Sequence, residues 1–300
     1  MLLGGARREP NEEIAVDEMK TGQLVLVATP LGNLGDLSRR ALELFEVADV
    51  IYCEDTRHSR TLFSAHDIAT RGRLHSLHQH NEAAQCDQIV TRVREGALVV
   101  LISDAGTPGI SDPGSRVVAA VIEAGLVVTT APGPSAVVAA LTISGLSSER
   151  FVMEGFLPRK SSERAKAYEQ WAHEGRTVVF YESPQRVTSV IHELAALFPT
   201  RRVAIAREMT KLHEEVLRGT LAEVAAALDQ RGVLGEIVVV LEGISFTPDV
   251  DDDVVRAGLE EQFHGGASTR DAVDYVAEIL GIARREVYEL ALALRKAEPR

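Results

Sequence analysis

The sequence predicts an α/β protein with two mixed domains and a small helical tail, on three observations. Apolar runs of strand length alternate with helical segments, as βαβ units and a mostly parallel sheet require. A Gly- and Pro-rich joint, Ala131-Pro132-Gly133-Pro134-Ser135-Ala136, divides that alternation into two halves. An acidic stretch, Thr247 to Asp253 with Pro248 and four aspartates, then leads into a purely helical end. The expected segments are a disordered tail over 1–21, an α/β domain over 22–132, a second over 133–246, and an acidic linker with helical tail over 247–300.

Leu24 to Thr29 is a continuous apolar run and reads as a buried parallel strand. The loop Pro30 to Asp36 follows, and Asp36 or Ser38 can cap a helix reaching about Val47. Val50 to Cys53 reads as a short strand ending at Glu54-Asp55-Thr56-Arg57, and His58 to Glu82 reads as loop-rich and polar. A helix over Ala83–Glu95 precedes a buried strand, Leu98 to Ile102. A helix over Ser115–Ala124, with Pro113 near its first turn, ends at Gly125, and Val127 to Thr130 gives another strand. Ser135 opens a small-residue helix over Ala136–Ile143. The second half shows strands at Phe151–Phe156, Thr177–Tyr181, Arg202–Ala206 and Glu236–Leu241, with helices near Ser162–His173, Gln185–Phe198 and Leu221–Gln230. In the tail, Ser268-Thr269-Arg270-Asp271 and Ala283-Arg284-Arg285-Glu286 each open a helix.

Composition narrows the function classes. Hydrophobic content of 45% and charged content of 25% are those of an ordinary globular chain. No apolar run approaches the roughly 20 residues of a membrane span, and residues 1–22 carry no signal-peptide core. Two distant cysteines, Cys53 and Cys86, fit a reducing cytoplasm rather than a disulfide framework or a zinc site. A net charge of −12 argues, taken alone, against nucleic acid as a partner.

The most informative stretch is Ser103-Asp104-Ala105-Gly106-Thr107-Pro108-Gly109-Ile110-Ser111-Asp112-Pro113-Gly114. It joins a buried strand to a helix N-terminus, where α/β sheets bind ligands. Its glycines and prolines make a rigid loop with exposed backbone donors, and Asp104 and Asp112 add fixed carboxylates suited to a small, partly cationic or hydroxylated ligand. The absence of any Gly-Lys pair excludes a Walker A loop, and no GxGxxG follows a strand, so the usual dinucleotide fingerprint is missing. His75, His78 and His80 suit a surface loop better than a metal ligand set, and no metal is expected. Three charged clusters fall at strand ends: Glu54-Asp55-Thr56-Arg57, Tyr181 to Arg186 and Arg207 to Glu215. Each pairs a carboxylate with a cation, so each is either a structural ion pair or part of a site.

These segments, in this order, resemble the tetrapyrrole methylase superfamily and, within it, the ribosomal small-subunit RNA methyltransferase I family. The matching stretches are ATPLGNLGDLSRRALE (28–43), CEDTRHSR (53–60), HNE (80–82), ISDAGTPGISDPG (102–114), PGPSA (132–136), FYESPQR (180–186), REMTKLHEE (207–215) and GEIVVVLEG (235–243). The resemblance covers about residues 22–300. It implies two α/β domains with S-adenosylmethionine bound in the cleft between them, and 2′-O-methylation of a cytidine ribose in 16S rRNA of the small ribosomal subunit (cytidine 1402 in the usual rRNA numbering). It also implies a homodimer, and the cysteine usage a cytoplasmic one. By the motifs, Asp104, Gly106, Pro108 and Ile110 line the donor pocket. Pro30, Leu31, Gly32, Ser135 and Ala136 form its other walls, and Tyr181, Glu236 and Ile237 close it from the second domain.

Such a reaction needs alignment of oxygen, methyl carbon and sulfur, and a base to draw off the hydroxyl proton. It needs no metal. The base candidates are Glu182, Glu208 and Lys211, with Lys211 competent only if burial lowers its pKa. Phosphate binding requires a basic patch rather than a basic protein. Arg57, Arg60, Arg159, Lys160 and Arg186 are the RNA-contact candidates, and Arg159-Lys160 with Arg164 and Lys166 is the strongest cluster. The helices over Ser268–Arg295 resemble a small helix-turn-helix unit that either touches RNA or packs on the body. The alternatives are a methyltransferase for a tetrapyrrole or other small acceptor, and a non-catalytic ribosome-assembly module that keeps an inherited donor pocket.

Overall fold

The computed structural model describes residues 22–230, 232–244 and 251–297. The expected disordered tail over 1–21 and most of the acidic stretch lie outside them. The described residues form two bodies, one of residues up to 164 with 177–242, the other of 165–176 with 243 onward.

Two five-stranded sheets lie in the first body. The first contains β1 (Gln23–Val27), β2 (Val50–Cys53), β3 (Leu74–Ser76), β4 (Leu98–Ile102) and β5 (Val127–Ala131). Its order is β3-β2-β4-β1-β5 and every pairing is parallel. Parallel strands need crossover helices, and these cover both faces. On one face Val25, Val27, Ile51, Val100 and Ile102 pack against α1 (Arg39–Val47) and α2 (Thr56–Ala65) through Ala41, Phe45 and Phe63. The alternate residues Leu24, Tyr52, Val99 and Leu101 point the other way. They meet Ile89 and Val93 of α3 (Glu82–Arg94) and Val117 and Val121 of α4 (Ser115–Glu123). The two-residue period of the strands thus divides one apolar run between two cores.

The second sheet holds β6 (Phe151–Phe156), β7 (Thr177–Glu182), β8 (Arg202–Arg207), β9 (Glu215–Thr220) and β10 (Ile237–Leu241), in the order β6-β7-β10-β8-β9. Only β6 and β7 run parallel; the other pairings are antiparallel. Helix α5 (Ala136–Ser144) lies against Val179, Ala204, Ala206, Val238 and Val240, and Leu31 from the β1 loop joins the same cluster. Helix α6 (Ser161–Trp171) follows β6. Helices α7 (Pro184–Leu197) and α8 (Leu221–Asp229) pack on each other and bury Val187, Ile191, Leu194, Val224 and Leu228.

Several local expectations are corrected. The stretch read as loop-rich contains α2 and β3. Asp55 caps α2 by accepting from the Arg57 amide at 2.8 Å, so polar residues that suggested a loop make the outer face of a capped helix. Ser38, not Asp36, caps α1, because Asp36 ends a 3-10 turn over Leu34–Asp36. Pro113 lies outside α4, whose cap is Gly114. Strand β9 is absent from the sequence reading, since its charged and Gly-containing EVLRGT pattern belongs to a sheet edge.

In the second body, α9 (Asp252–His264), α10 (Thr269–Leu280) and α11 (Arg284–Ala297) enclose Leu259, Ala272, Val273, Val287 and Ala291. The described end of the acidic stretch is the start of α9 rather than linker. Asp251 caps it, and Asp252 and Asp253 sit in its first turn, where carboxylates complement the helix dipole.

Candidate active site

In the first sheet, the connections after β1 and β4 leave for opposite faces, so a crevice opens at their carboxyl ends. The two loops are joined there. Thr29 and Gly106 exchange both backbone hydrogen bonds, at 2.9 and 3.0 Å, and the Thr29 hydroxyl donates to the Ser103 carbonyl at 3.0 Å. Gly106 has φ +81° and Gly114 φ +133°, values that exclude an ordinary side chain. Gly114 brings no side-chain cap to α4. The carboxylate of Glu82, at the start of α3, supplies one by accepting from the Gly114 and Arg116 amides at 2.9 and 3.0 Å. Glu82 is 6% exposed, so it fixes the end of the Gly/Pro loop from beneath. The loop begins at Asp104, whose Oδ1 accepts from the Asp55 amide at 3.1 Å and so ties it to the start of α2.

A cavity of about 370 Å³ lies against this loop, a size suited to a small ligand. Of the residues expected around a donor, Leu31, Asp104, Gly106, Ile110, Ser135, Ala136, Tyr181, Glu236 and Ile237 line it. Asp112, Phe156, Met209 and Val238 line it as well. Phe156 is the clearest omission of the sequence reading. It is 62% exposed at the end of β6, and its ring lies 5.2 Å from that of Tyr181. An aromatic ending a strand beside the joint was the available signal. Pro108 is buried and belongs to the loop's support rather than to the lining.

A second cavity, of about 450 Å³, shares Leu31, Asp104, Ala105 and Glu236 with the first. Pro30, Gly32, Leu34, Lys211 and the α2 residues His58, Thr61 and Leu62 complete it. Pro30 and Gly32 therefore face this space rather than the first. The Lys211 ammonium donates to Glu208 Oε1 at 3.0 Å and to Glu236 Oε2 at 3.2 Å. Gly32 leaves room for the Lys211 stem, since a Cβ there would overlap Lys211 Cγ. The Lys211 loop is held in unusual backbone geometry, with Glu208 at φ +50° and Thr210 at φ +66°. The Thr210 hydroxyl accepts from the Asn33 amide at 3.0 Å, which ties that loop to the one after β1.

Electrostatics sort the candidates. Burial, with Glu54 and Asp104 nearby, pushes the Asp112 carboxyl up to about 6. Burial, helped by Asp112, pushes the Tyr181 phenol up to about 12, so it stays neutral. The Glu236 amide, followed by Lys211, holds Glu208 below the usual carboxylate range. Burial pulls Lys211 down, but its bonds and charge interactions with Glu208 and Glu236 outweigh that and leave it raised. Lys211 is a cation here, not a free amine.

The remaining candidates are engaged elsewhere or exposed on the surface. Glu182 lines the first cavity, but its side chain is 1% exposed. One oxygen accepts from the Ser183 amide at 2.7 Å and the other meets Arg186 at 3.0 Å. Arg186 also donates to the Leu157 and Pro158 carbonyls at 3.1 and 2.9 Å, so its guanidinium holds the β6–α6 connection. Arg164 is 8% exposed and grips Glu193, which removes it from the expected basic cluster. Arg159 is exposed, and Lys160 pairs with Glu163 at 3.2 Å. Arg57 and Arg60 are exposed on α2, Arg57 pairing with Asp55 at 3.1 Å. The His78 and His80 rings meet edge-on at 5.9 Å, and among the described residues no group of His, Cys, Asp and Glu is arranged to hold a metal ion. None of the described helices is long and apolar enough to cross a membrane.

Known proteins share the family and the fold. The family profile for Tetrapyrrole (Corrin/Porphyrin) Methylases matches residues 23–225, and a profile described as the RsmI C-terminal HTH domain matches residues 265–295. A protein of Mycobacterium tuberculosis (strain CDC 1551 / Oshkosh) named Ribosomal RNA small subunit methyltransferase I is 44% identical, over 93% of this chain and 97% of its own. A protein of the same name from Neisseria meningitidis serogroup B is 38% identical, over 93% and 96%. Among solved structures, uroporphyrin-III C-methyl transferase from Thermus thermophilus, complexed with S-adenyl homocysteine, shares the fold. It has a TM-score of 0.52 and 20% identity, over 74% of this chain and 97% of that one.

Proposed function

The chain belongs to the tetrapyrrole methylases and, among them, to the ribosomal RNA small subunit methyltransferase I family, and from that premise we propose that it methylates RNA of the small ribosomal subunit with S-adenosylmethionine as donor. The acceptor in this reading is the 2′-hydroxyl of a cytidine ribose. Because Asp104 and Asp112 stand among apolar and aromatic walls at the sheet's switch point, the first cavity is the donor site, and that observation carries the reading. The donor has a purine, a carboxylate and two cationic centres, and the residues present fit it. Ile110, Phe156, Tyr181 and Ile237 offer apolar surface for a ring, while two carboxylates face positive charge. A cation beside Asp112 favours its ionised form and reverses the upward push of burial.

Bound there, S-adenosylmethionine supplies a methyl group on a sulfonium, already activated for in-line displacement. The chain's own residues position the acceptor and handle its proton. Among the three expected bases, Glu182 is closed off by Arg186 and Ser183, and Glu208 accepts from Lys211 and the Glu236 amide. Lys211 reaches the second cavity, where its charge orients a hydroxyl. Glu236 lines both cavities and its side chain is 69% exposed, so we assign it the proton. A base so placed contributes about 10²–10⁴-fold.

In this reading the chain acts in the cytoplasm as a homodimer. Exposed Ile122 and Val127, on α4 and the edge strand β5, support a second copy, and light scattering tests it. The two sheets support the division into 22–132 and 133–246. The deciding experiment is methyl transfer from labelled donor to undermodified small subunits, with Asp104→Ala alongside and the product mapped by mass spectrometry. Label on a cytidine ribose, lost in the variant, is expected. Donor binding without label on RNA would overturn the assignment in favour of a small acceptor such as a tetrapyrrole.

A further inference from the structure

We propose that the second cavity is the acceptor pocket, taking one ribonucleoside drawn out of the RNA chain while Arg57 and Arg60 hold the phosphates beside it. The inference rests on the reading above and adds the place and manner of substrate capture. Its walls have two characters. Pro30, Leu34 and Leu62 give apolar surface for the flat faces of a base and ribose, and His58, Thr61 and Lys211 give polar groups for hydroxyls and a carbonyl. Proteins that act on one nucleotide hold it in this way, extruded into a pocket with apolar and hydrogen-bonding sides.

Position supports the same occupant. A ligand here reaches the Asp104–Glu236 edge where the two cavities share residues, so a hydroxyl at that edge faces the donor space. The wall is built rather than incidental. Gly32 admits the Lys211 stem, two carboxylates fix the Lys211 ammonium, and Thr210 joins the loops on either side. Left-handed geometry at two non-glycine residues of one loop is costly, and it concentrates where a site needs it.

Helix α2 identifies the ligand as part of a polyanion. Its exposed face carries His58 and Thr61 at the cavity, with Arg57 and Arg60 one position before each. An extruded nucleoside remains attached to a phosphate on either side, and two exposed guanidinium groups on the same helix suit those charges.

Filling the pocket from its exposed wall tests the proposal. Thr61→Trp and His58→Trp alter exposed helix positions, and Ser64→Trp, on the same exposed face but outside the cavity, is the control. Each protein is assayed for folding by thermal melting, for donor affinity by calorimetry, for binding of undermodified small subunits without donor, and for KM and kcat. For Thr61→Trp and His58→Trp, KM for the particles should rise by about tenfold or more, with donor affinity within about twofold of the unaltered chain. Ser64→Trp should leave all four readouts unchanged. Unchanged particle binding and KM in both cavity variants, or an equal loss in Ser64→Trp, would overturn the pocket while leaving the RNA reading intact. If the unaltered chain transfers no methyl to RNA, the reading itself fails and the pocket falls with it.

Discussion

Two strand-end clusters of the second sheet have the same chemistry and opposite fates. At the end of β7, Glu182 pairs with Arg186; after β8, Glu208 and Glu236 pair with Lys211. In sequence both are a carboxylate near a cation. In the structure the first is sealed, with Glu182 1% exposed and Arg186 bonded to two backbone carbonyls. The second stays open, with Lys211 29% and Glu236 69% exposed on a cavity. A buried ion pair whose arginine is tied to backbone carbonyls holds the fold, and one with a face left to solvent is open to a substrate.

The largest effect expected from this contrast is on rate. Glu236→Gln should lower kcat by about 10²–10⁴-fold with little change in melting temperature. A fall in melting temperature with kcat intact would place the second cluster with the first. Glu182→Gln should do the reverse. Removing one partner of a buried pair costs about 3–5 kcal/mol, so denaturant unfolding should show a loss of that order while the folded fraction keeps measurable transfer. Undiminished stability would break the contrast from the other side.

A smaller effect is expected in the Gly/Pro loop after β4. Asp112, with its carboxyl pushed up to about 6, is protonated below that pH and ionised above it. Binding of a cationic donor favours the ionised form, so donor affinity should rise through pH 6, by up to about tenfold, and level off above 7. Calorimetry on Asp112→Asn should give a flat profile over the same range. The smallest effect concerns Glu82, which caps α4 from a neighbouring helix. Glu82→Ala should cost about 1–2 kcal/mol of stability, as lost caps do, and weaken donor affinity a few-fold by loosening the loop that ends at Gly114.

Much of the fold was legible because local composition and long-range packing agree there. Buried parallel strands read as apolar runs, and β1, β2 and β4 fall at the expected places within a residue or two, as does the partly exposed edge strand β5. Legibility failed where a segment's partner is distant. Strand β9 has an unremarkable sequence and becomes a strand only because β8 offers its edge. Helix α2 presents so polar a face that its buried side, Leu62 and Phe63, is too narrow to announce a helix. The Gly/Pro loop beside the first cavity was legible from its glycines, prolines and aspartates, whereas Phe156 and Met209 were not, since each reads as an ordinary core residue.

The sequence alone determined the two α/β halves, the helical tail, the Gly/Pro loop after β4 and the family, because strand burial, turn chemistry and collinear motifs are written in neighbouring residues. Tertiary structure alone decided which charged groups are open. Glu182 is covered by Arg186, and Arg186, Glu208, Lys211 and Glu236 are in turn held by backbone carbonyls, amides and side chains 25 or more residues away. Solvation at that range is set by packing, and packing is what turns similar clusters of charge into a sealed pair at one strand end and an open one at the other.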